Sequence, residues 1–147
     1  MAEHFFRHFF RRYILGNIRL LTGIYLLILL LGSLLPLNNG TSLNNTYIVA
    51  FRSDYFLHFL MMLPLPVLLG LTFRQLSGTR QLSGNRQVSG SWIWLRVLLL
   101  GLLVIVFCEG IQLLVPYRTF NINDMFANGL GALLGLIPAW LIWRSLS

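Results

Sequence analysis

Four long apolar runs, separated by shorter polar segments, dominate the hydrophobic pattern of this chain. Each run is close to the roughly 20 residues that an α-helix needs to cross the hydrocarbon of a membrane. The pattern therefore predicts four membrane-spanning helices, over residues 17–37, 55–73, 92–115 and 125–143. We expect an all-α fold in which these helices form a bundle within the membrane.

The amino-acid composition supports an integral membrane protein. Of the 147 residues, 56% are hydrophobic and only 10% are charged, whereas a soluble domain carries about 25% charged residues. The net charge of +7 comes from arginines beside the apolar runs, so we attribute it to membrane orientation and not to nucleic-acid binding. The single cysteine excludes an internal disulfide and a paired-cysteine metal site, and we predict no metal and no cofactor.

Two segments outside the predicted spans are rich in arginine and differ in their other residues. Residues 1–16 interleave phenylalanine with arginine and histidine, which fits either an interfacial helix or the basic flank of a retained signal anchor. Residues 74–91 repeat one hexapeptide as RQLSGT, RQLSGN and RQVSGS. Because serine and glycine favour flexible linkers, we predict a flexible loop there, within a membrane domain that covers residues 17–147.

The distribution of arginine predicts the orientation of the bundle. With four spans, one side of the membrane holds residues 1–16, 74–91 and 144–147. Most arginines outside the spans lie in these segments, whereas the other side holds only Arg52 and Arg118. Because basic residues are retained on the cytoplasmic side, we predict that both termini are cytoplasmic.

Polar residues gather at the ends of three predicted spans. They are Asp54 and His58 in the second span, Glu109 and Gln112 in the third, Asp124 and Asn128 in the fourth, and Arg118 in the turn between the last two. Spacings of three or four place each pair on one helix face. With the predicted orientation all of them lie at one depth, in the outer leaflet. Since a carboxylate in hydrocarbon costs at least a few kcal/mol unless paired, we predict one shared site.

Each acid also has a structural interpretation. Asp54 and Asp124 could cap their helices, because an acid near a helix N-terminus offsets the dipole. Glu109 lies about two turns inside its span, so it requires a polar partner, for which Arg118, His58 or Gln112 is available. In the fourth span, the four-residue spacing of Gly131 and Gly135 is typical of close helix packing.

This order of residues resembles the motif of the VanZ-like family of small bacterial membrane proteins. The matching positions are Asp54, His58-Phe59, Glu109, Gln112, Arg118, Asp124, Asn128, Gly131 and Gly135, within residues 54–135. The chain departs from the pattern at Tyr55, where many members carry a basic residue. The resemblance implies a multi-pass protein of the bacterial inner membrane, and for the member after which the family is named it implies a link to teicoplanin resistance.

Three functions remain open at this point. The first is binding or modulation of a cell-envelope component, such as a lipid-linked wall precursor or an anionic headgroup near Arg118, among surrounding membrane lipids. The second is structural, with the polar residues only locking helices together. The third is a membrane-embedded enzyme with Glu109 or Asp124 as general base and His58 as proton partner, although no motif indicates a particular reaction. We rank them in the order binding, structure and catalysis; the sequence does not predict the oligomeric state.

Overall fold

The computed structural model describes residues 16–34, 47–48, 51–81, 90–116 and 122–146. Within these ranges the chain forms five α-helices and one short antiparallel strand pair. The helices are α1 (Ile18–Leu34), α2 (Ser53–Met62), α3 (Leu65–Gln81), α4 (Gly90–Gln112) and α5 (Ile122–Ser145), and the strands are β1 (Tyr47–Ile48) and β2 (Phe51–Arg52). The predicted helical fold class is confirmed. Residues 1–15 of the predicted N-terminal flank lie outside the described residues.

Three parts of the described chain are helical, long and apolar enough to cross a membrane. They are Tyr55–Ser77, Trp92–Gln112 and Ile122–Ser145. Helix α1 is also apolar, but its 17 described residues are shorter than these segments. The membrane character predicted from composition is therefore confirmed for three spans, and the first span stays a prediction.

The second span consists of two helices. Helix α2 ends at Met62 and α3 begins at Leu65, because the chain contains Pro64 and Pro66, which lack amide hydrogens. The break leaves carbonyl groups at the end of α2 without donors from its own helix. The hydroxyl of Tyr25 on α1 donates a hydrogen bond to one of them, the carbonyl of Met61. A neighbouring helix thus satisfies a carbonyl in the last turn of α2, where the helix breaks.

The predicted flexible loop over residues 74–91 is wrong at both ends, because α4 begins at Gly90 and α3 extends into the first repeat. Helix α3 continues to Gln81, so the first repeat is helical. Arg74 attaches the start of this extension to α5, because its guanidinium donates hydrogen bonds to the carbonyls of Trp143, at 2.8 Å, and Leu146. A cationic donor at a helix C-terminus satisfies the last carbonyls and the dipole, so the first repeat is docked on the end of α5. Residues 82–89 lie outside the described residues.

Two other helix boundaries differ from the prediction. Helix α4 ends at Gln112 and not at residue 115, because the following backbone hydrogen bonds, such as Val115 N to Gln112 O at 3.0 Å, tighten into turns ahead of Pro116. Proline cannot continue a helix by donating its own amide. Helix α5 begins at Ile122 and ends at Ser145. It is therefore longer than the predicted span 125–143 and contains Asp124 in its first turn.

Helix α5 presents a face of small and polar residues to the rest of the bundle. Its buried residues recur at intervals of three or four and are Asp124, Ala127, Asn128, Gly131, Gly135 and Ala139. A Cβ atom at Gly131 would overlap the carbonyl group of Phe59, and one at Gly135 would overlap that of Leu63. The backbones of α2 and α5 therefore approach closely, and these two helices pack more extensively than any other pair of described elements.

Helix α4 buries one face along its whole length. The apolar residues of this face include Ile93, Val97, Ile105 and Cys108. Large apolar side chains on its other faces, such as that of Leu103, are exposed, as expected for a surface in contact with lipid. Toward its C-terminus the buried face changes from apolar to polar, and this end of α4 lies beside the first turns of α5.

Candidate functional site

Polar residues from α2, α4 and α5 meet in one buried group, which we call the polar cluster. Its members are His58, Glu109, Gln112, Asp124 and Asn128. Glu109 is 1% exposed, Gln112 0%, Asp124 6% and Asn128 1%, while His58 is partly buried. Buried charged and amide side chains are rare unless they have partners, so the geometry of the group decides what it can do.

The local sequence explains how the helices bring these side chains together. Glu109 and Gln112 lie one turn apart at the end of α4, and Asp124 and Asn128 lie one turn apart at the start of α5. Each pair therefore shares a helix face. Only nine residues, 113–121, separate the two helices along the chain, and the hydrogen bond between Asn128 and Glu109 shows that both pairs lie at the same end of the bundle. Asp124 in the first turn of α5 also interacts favourably with the helix dipole.

His58 lies between the two carboxylates of the cluster. Its Nδ1 is 3.9 Å from Oε1 of Glu109, and its Nε2 is 3.8 Å from Oδ2 of Asp124. Both separations are longer than a hydrogen bond. A protonated imidazole would nevertheless attract both carboxylates across these distances, so a proton on His58 couples α2 electrostatically to α4 and α5.

Glu109 accepts a short hydrogen bond from Asn128. The Nδ2 atom of Asn128 donates a hydrogen bond of 2.7 Å to Oε1 of Glu109, and both side chains are buried. Of the partners that the sequence offered, His58 lies near Glu109, whereas Arg118 lies outside the described residues. Sequence spacing placed Asn128 in the site but did not pair it with Glu109, because that pairing depends on how α4 and α5 pack.

The amide of Gln112 has an unusual environment. Its side chain is fully buried, and within the described part of the chain neither its Nε2 nor its Oε1 has a hydrogen-bond partner; the same holds for Oδ1 of Asn128. A buried amide without a partner costs about 1–3 kcal/mol. These atoms are therefore available to hydrogen-bond a ligand or a water molecule.

Two predicted site residues, Asp54 and Arg118, are not part of the polar cluster as defined above. Asp54 belongs to the first turn of α2, but its side chain lies outside the described residues, as does Arg118. Tyr55, which sequence reasoning treated only as a departure from the motif, is 3.4 Å from Asn123, whose Nδ2 donates to its hydroxyl. In the sequence, only the position of Tyr55 next to Asp54 could have indicated that it lies near the site. Tyr55 thus links α2 to α5 next to the polar cluster.

The chemistry of the cluster is that of a hydrogen-bonding site. Within the described ranges, no group of three or more His, Cys, Asp and Glu side chains has an arrangement that could hold a metal ion. Two carboxylates supply acceptors, and two amides can both accept and donate. Such a set is suited to a ligand that carries several hydroxyl or amine groups.

Comparison with known proteins identifies a family. A family model described as VanZ/LLP1 matches residues 3–144, which is nearly the whole chain and includes every member of the polar cluster. No curated protein and no solved structure matches the chain. The resemblance drawn from the motif is therefore confirmed at the level of the family.

Proposed function

Because the chain belongs to the VanZ/LLP1 family, we propose that it is a multi-pass protein of the bacterial inner membrane that binds a cell-envelope component through the polar cluster. The observation that carries this proposal is the Gln112 amide, which is fully buried and has no hydrogen-bond partner among the described residues. Such an amide lowers stability unless something pairs with it. A bound ligand supplies the missing partner.

The acceptors in the cluster suggest the chemical class of the ligand. The carboxyl groups of Glu109 and Asp124 lie on either side of His58, so an ionised phosphate would meet like charge there. A headgroup with hydroxyl or amine donors complements these acceptors. A lipid-linked wall precursor offers such donors on its sugar and peptide parts, as do lipid headgroups with amine or hydroxyl groups. In either lipid the phosphate groups would lie away from the two carboxylates.

A structural role is the second candidate. The hydrogen bond between Asn128 and Glu109 joins α5 to α4, and His58 brings α2 to the same point. This network would stabilise the bundle without any ligand. It does not account for Gln112, whose amide makes no hydrogen bond within the described part of the chain. An acid–base role for His58 rests only on its proximity to two carboxylates.

Gln112→Met tests the binding proposal. Methionine has nearly the same shape as glutamine and removes the unpaired amide, so the variant should be as stable as the wild type or up to about 1–3 kcal/mol more stable. It should nevertheless lose the bound envelope component. The measurement pairs thermal unfolding in detergent with mass spectrometry of lipids that co-purify from bacterial membranes.

Asn123→Ala is the matched control for this substitution. It removes an exposed amide at the same end of α5, outside the polar cluster, together with the exposed 3.4 Å hydrogen bond from Asn123 to Tyr55. It should leave the co-purifying lipids unchanged. Unaltered lipid content in Gln112→Met would contradict the binding proposal. Loss of stability in Gln112→Met would favour the structural role instead.

We also propose that both termini are cytoplasmic and that the polar cluster lies in the outer leaflet. The support is the excess of arginine in residues 1–16, 74–91 and 144–147. Reporter fusions after residues 41, 84 and 147 should report outside, inside and inside, respectively. A reporter that places residue 84 outside would move the cluster to the inner leaflet, away from the cell envelope.

We further propose that this protein contributes to glycopeptide resistance. The support for this role is the family resemblance, and no contact within the polar cluster bears on it. Binding of a lipid-linked wall precursor in the outer leaflet would place this chain where such antibiotics act on the wall.

A further inference from the structure

An apolar groove lies next to the polar cluster, between α4 and α5. Its volume is about 100 Å³, and its lining is almost entirely apolar, with Val97, Gly101, Ile105, Gly129, Ala132 and Leu136 among its residues. Both helices are long and apolar enough to cross a membrane. The groove therefore faces hydrocarbon and not water.

The groove leads directly to the polar cluster. Two rows of residues with four-residue spacing run toward it, consisting of Val97, Gly101, Ile105 and Glu109 on α4, and of Leu136, Ala132 and Asn128 on α5. In each row the last residue belongs to the hydrogen bond between Glu109 and Asn128. One helical turn, about 5.4 Å, separates the apolar lining from this pair.

We propose that the groove holds the acyl chain of a membrane lipid whose headgroup binds the polar cluster. This inference rests on the proposed function and specifies the class of its ligand. An apolar slot that ends in a hydrogen-bonding site matches the two halves of a lipid molecule. The slot from Val97 to Ile105 extends about 12 Å along the helix, which is close to half of the roughly 30 Å hydrocarbon core. A segment of one acyl chain therefore fits the slot.

Two glycines keep the groove open. A Cβ atom at Gly101 or at Gly129 would meet no atom within 4 Å, although both residues line the groove. Close helix packing explains Gly131 and Gly135, but it does not explain these two positions. The missing side chains at Gly101 and Gly129 leave the space that the acyl chain occupies.

The test fills the groove without disturbing the fold. Gly101→Leu and Gly129→Leu place a side chain in open space, so both variants should unfold at wild-type temperature. Gly23→Leu is the matched control, because a Cβ there also meets nothing within 4 Å and the residue is exposed on α1. Leu102→Trp, at another lining position, replaces either leucine variant that fails to fold.

The probe is a phospholipid of known composition. Each variant is reconstituted in vesicles of phosphatidylethanolamine and phosphatidylglycerol, whose headgroups carry amine and hydroxyl donors, and is then returned to detergent. Native mass spectrometry counts the phospholipid that stays bound. Groove-filling variants should retain roughly tenfold less than the wild type, equivalent to about 1.4 kcal/mol, and Gly23→Leu should retain as much as the wild type.

Gln112→Met, which alters the polar cluster and not the groove, separates failure of the acyl-chain site from failure of the proposed function. Loss of lipid in Gln112→Met but not in the groove variants would overturn the acyl-chain site and leave the polar cluster as a binding site. Loss in the groove variants alone would support the acyl-chain site and contradict headgroup binding by the cluster. Wild-type retention in all variants would contradict both. Retention of phosphatidylcholine, whose headgroup has no hydrogen-bond donor, to the same extent would also contradict headgroup binding.

Discussion

Gly131→Ala and Gly135→Ala are each expected to lower the free energy of unfolding by about 1–3 kcal/mol, toward the upper end of that range. The added Cβ atom would overlap the carbonyl group of Phe59 at the first position and that of Leu63 at the second. A flexible side chain could move aside, but these atoms belong to the backbone of α2 and of Leu63, which directly follows it. Helix α2 must therefore shift away from α5.

Gly129→Ala is the control for both substitutions. It makes the same chemical change in the same helix, yet its Cβ would meet nothing within 4 Å. It should be neutral or slightly stabilising, because alanine favours helix more than glycine does. Thermal unfolding of the purified variants in detergent gives the comparison. Equal stability of all three variants would contradict the close packing of α2 on α5.

Gly131→Ala and Gly135→Ala should also disturb the polar cluster. His58 lies on α2, one residue before Phe59, and reaches both Glu109 and Asp124 from there. If α2 shifts away from α5, the imidazole moves away from the two carboxylates. We therefore expect Gly131→Ala to reduce lipid retention together with stability, whereas Gln112→Met reduces retention alone.

Asn128→Leu is expected to have the second large effect, a loss of about 1.5–3 kcal/mol in unfolding free energy. It removes the 2.7 Å hydrogen bond to Glu109 while the carboxyl group stays buried. The Asn128 amide can donate to Glu109 whether or not that acid is ionised, so the direction of the effect does not depend on its charge. Chemical or thermal unfolding in detergent measures the loss.

Variants of Glu109 separate a structural from a binding role for this pair. The double variant Glu109→Leu, Asn128→Leu replaces both partners with apolar groups and should recover most of the lost stability, because buried polar pairs can often be exchanged for apolar ones at little cost. Glu109→Gln keeps the acceptor for Asn128 and removes only the charge. Under the structural role, both variants keep most of the wild-type stability and retain lipid to the wild-type extent.

The binding role predicts a different outcome for the same proteins. The double variant then folds but retains no lipid, and Glu109→Gln is stable but binds less, because the acceptor that remains is weaker than a carboxylate. Lipid retention at the wild-type level in both variants would remove Glu109 from the binding site. Asn123→Ala again serves as the control for polar substitutions at this end of the bundle.

The sequence alone determined the class of protein and most members of the site. Apolar runs that are long enough to cross a bilayer and carry few charges predict membrane helices, because only helices and closed β-barrels satisfy the backbone hydrogen bonds within a bilayer. The few polar residues within those runs stand out for the same reason, so Glu109, Gln112, Asp124 and Asn128 could be found without a structure. Their spacing also indicated shared helix faces, and their order indicated the family.

Helix boundaries depended on contacts that sequence patterns do not contain. The repeat segment is typical of a flexible linker, yet its first copy is helical, and its first residue, Arg74, donates a hydrogen bond to the end of α5, far along the chain. Pro64 and Pro66 mark the break between α2 and α3, but the hydrogen-bond donor for the Met61 carbonyl at the end of α2 comes from Tyr25 on another helix. Each of these contacts depends on which helices are neighbours in space.

The pairing inside the polar cluster was decided only by the tertiary structure. Spacing places a residue on a face of its own helix, but the rotation and crossing of two helices determine which side chains meet. Gly131 and Gly135 let α2 approach α5 closely, which sets His58 between Glu109 and Asp124, while the packing of α4 on α5 gives Glu109 its hydrogen bond from Asn128. Gln112 lies in the same buried region without a partner among the described residues, because no helix pattern specifies what a side chain will find across an interface.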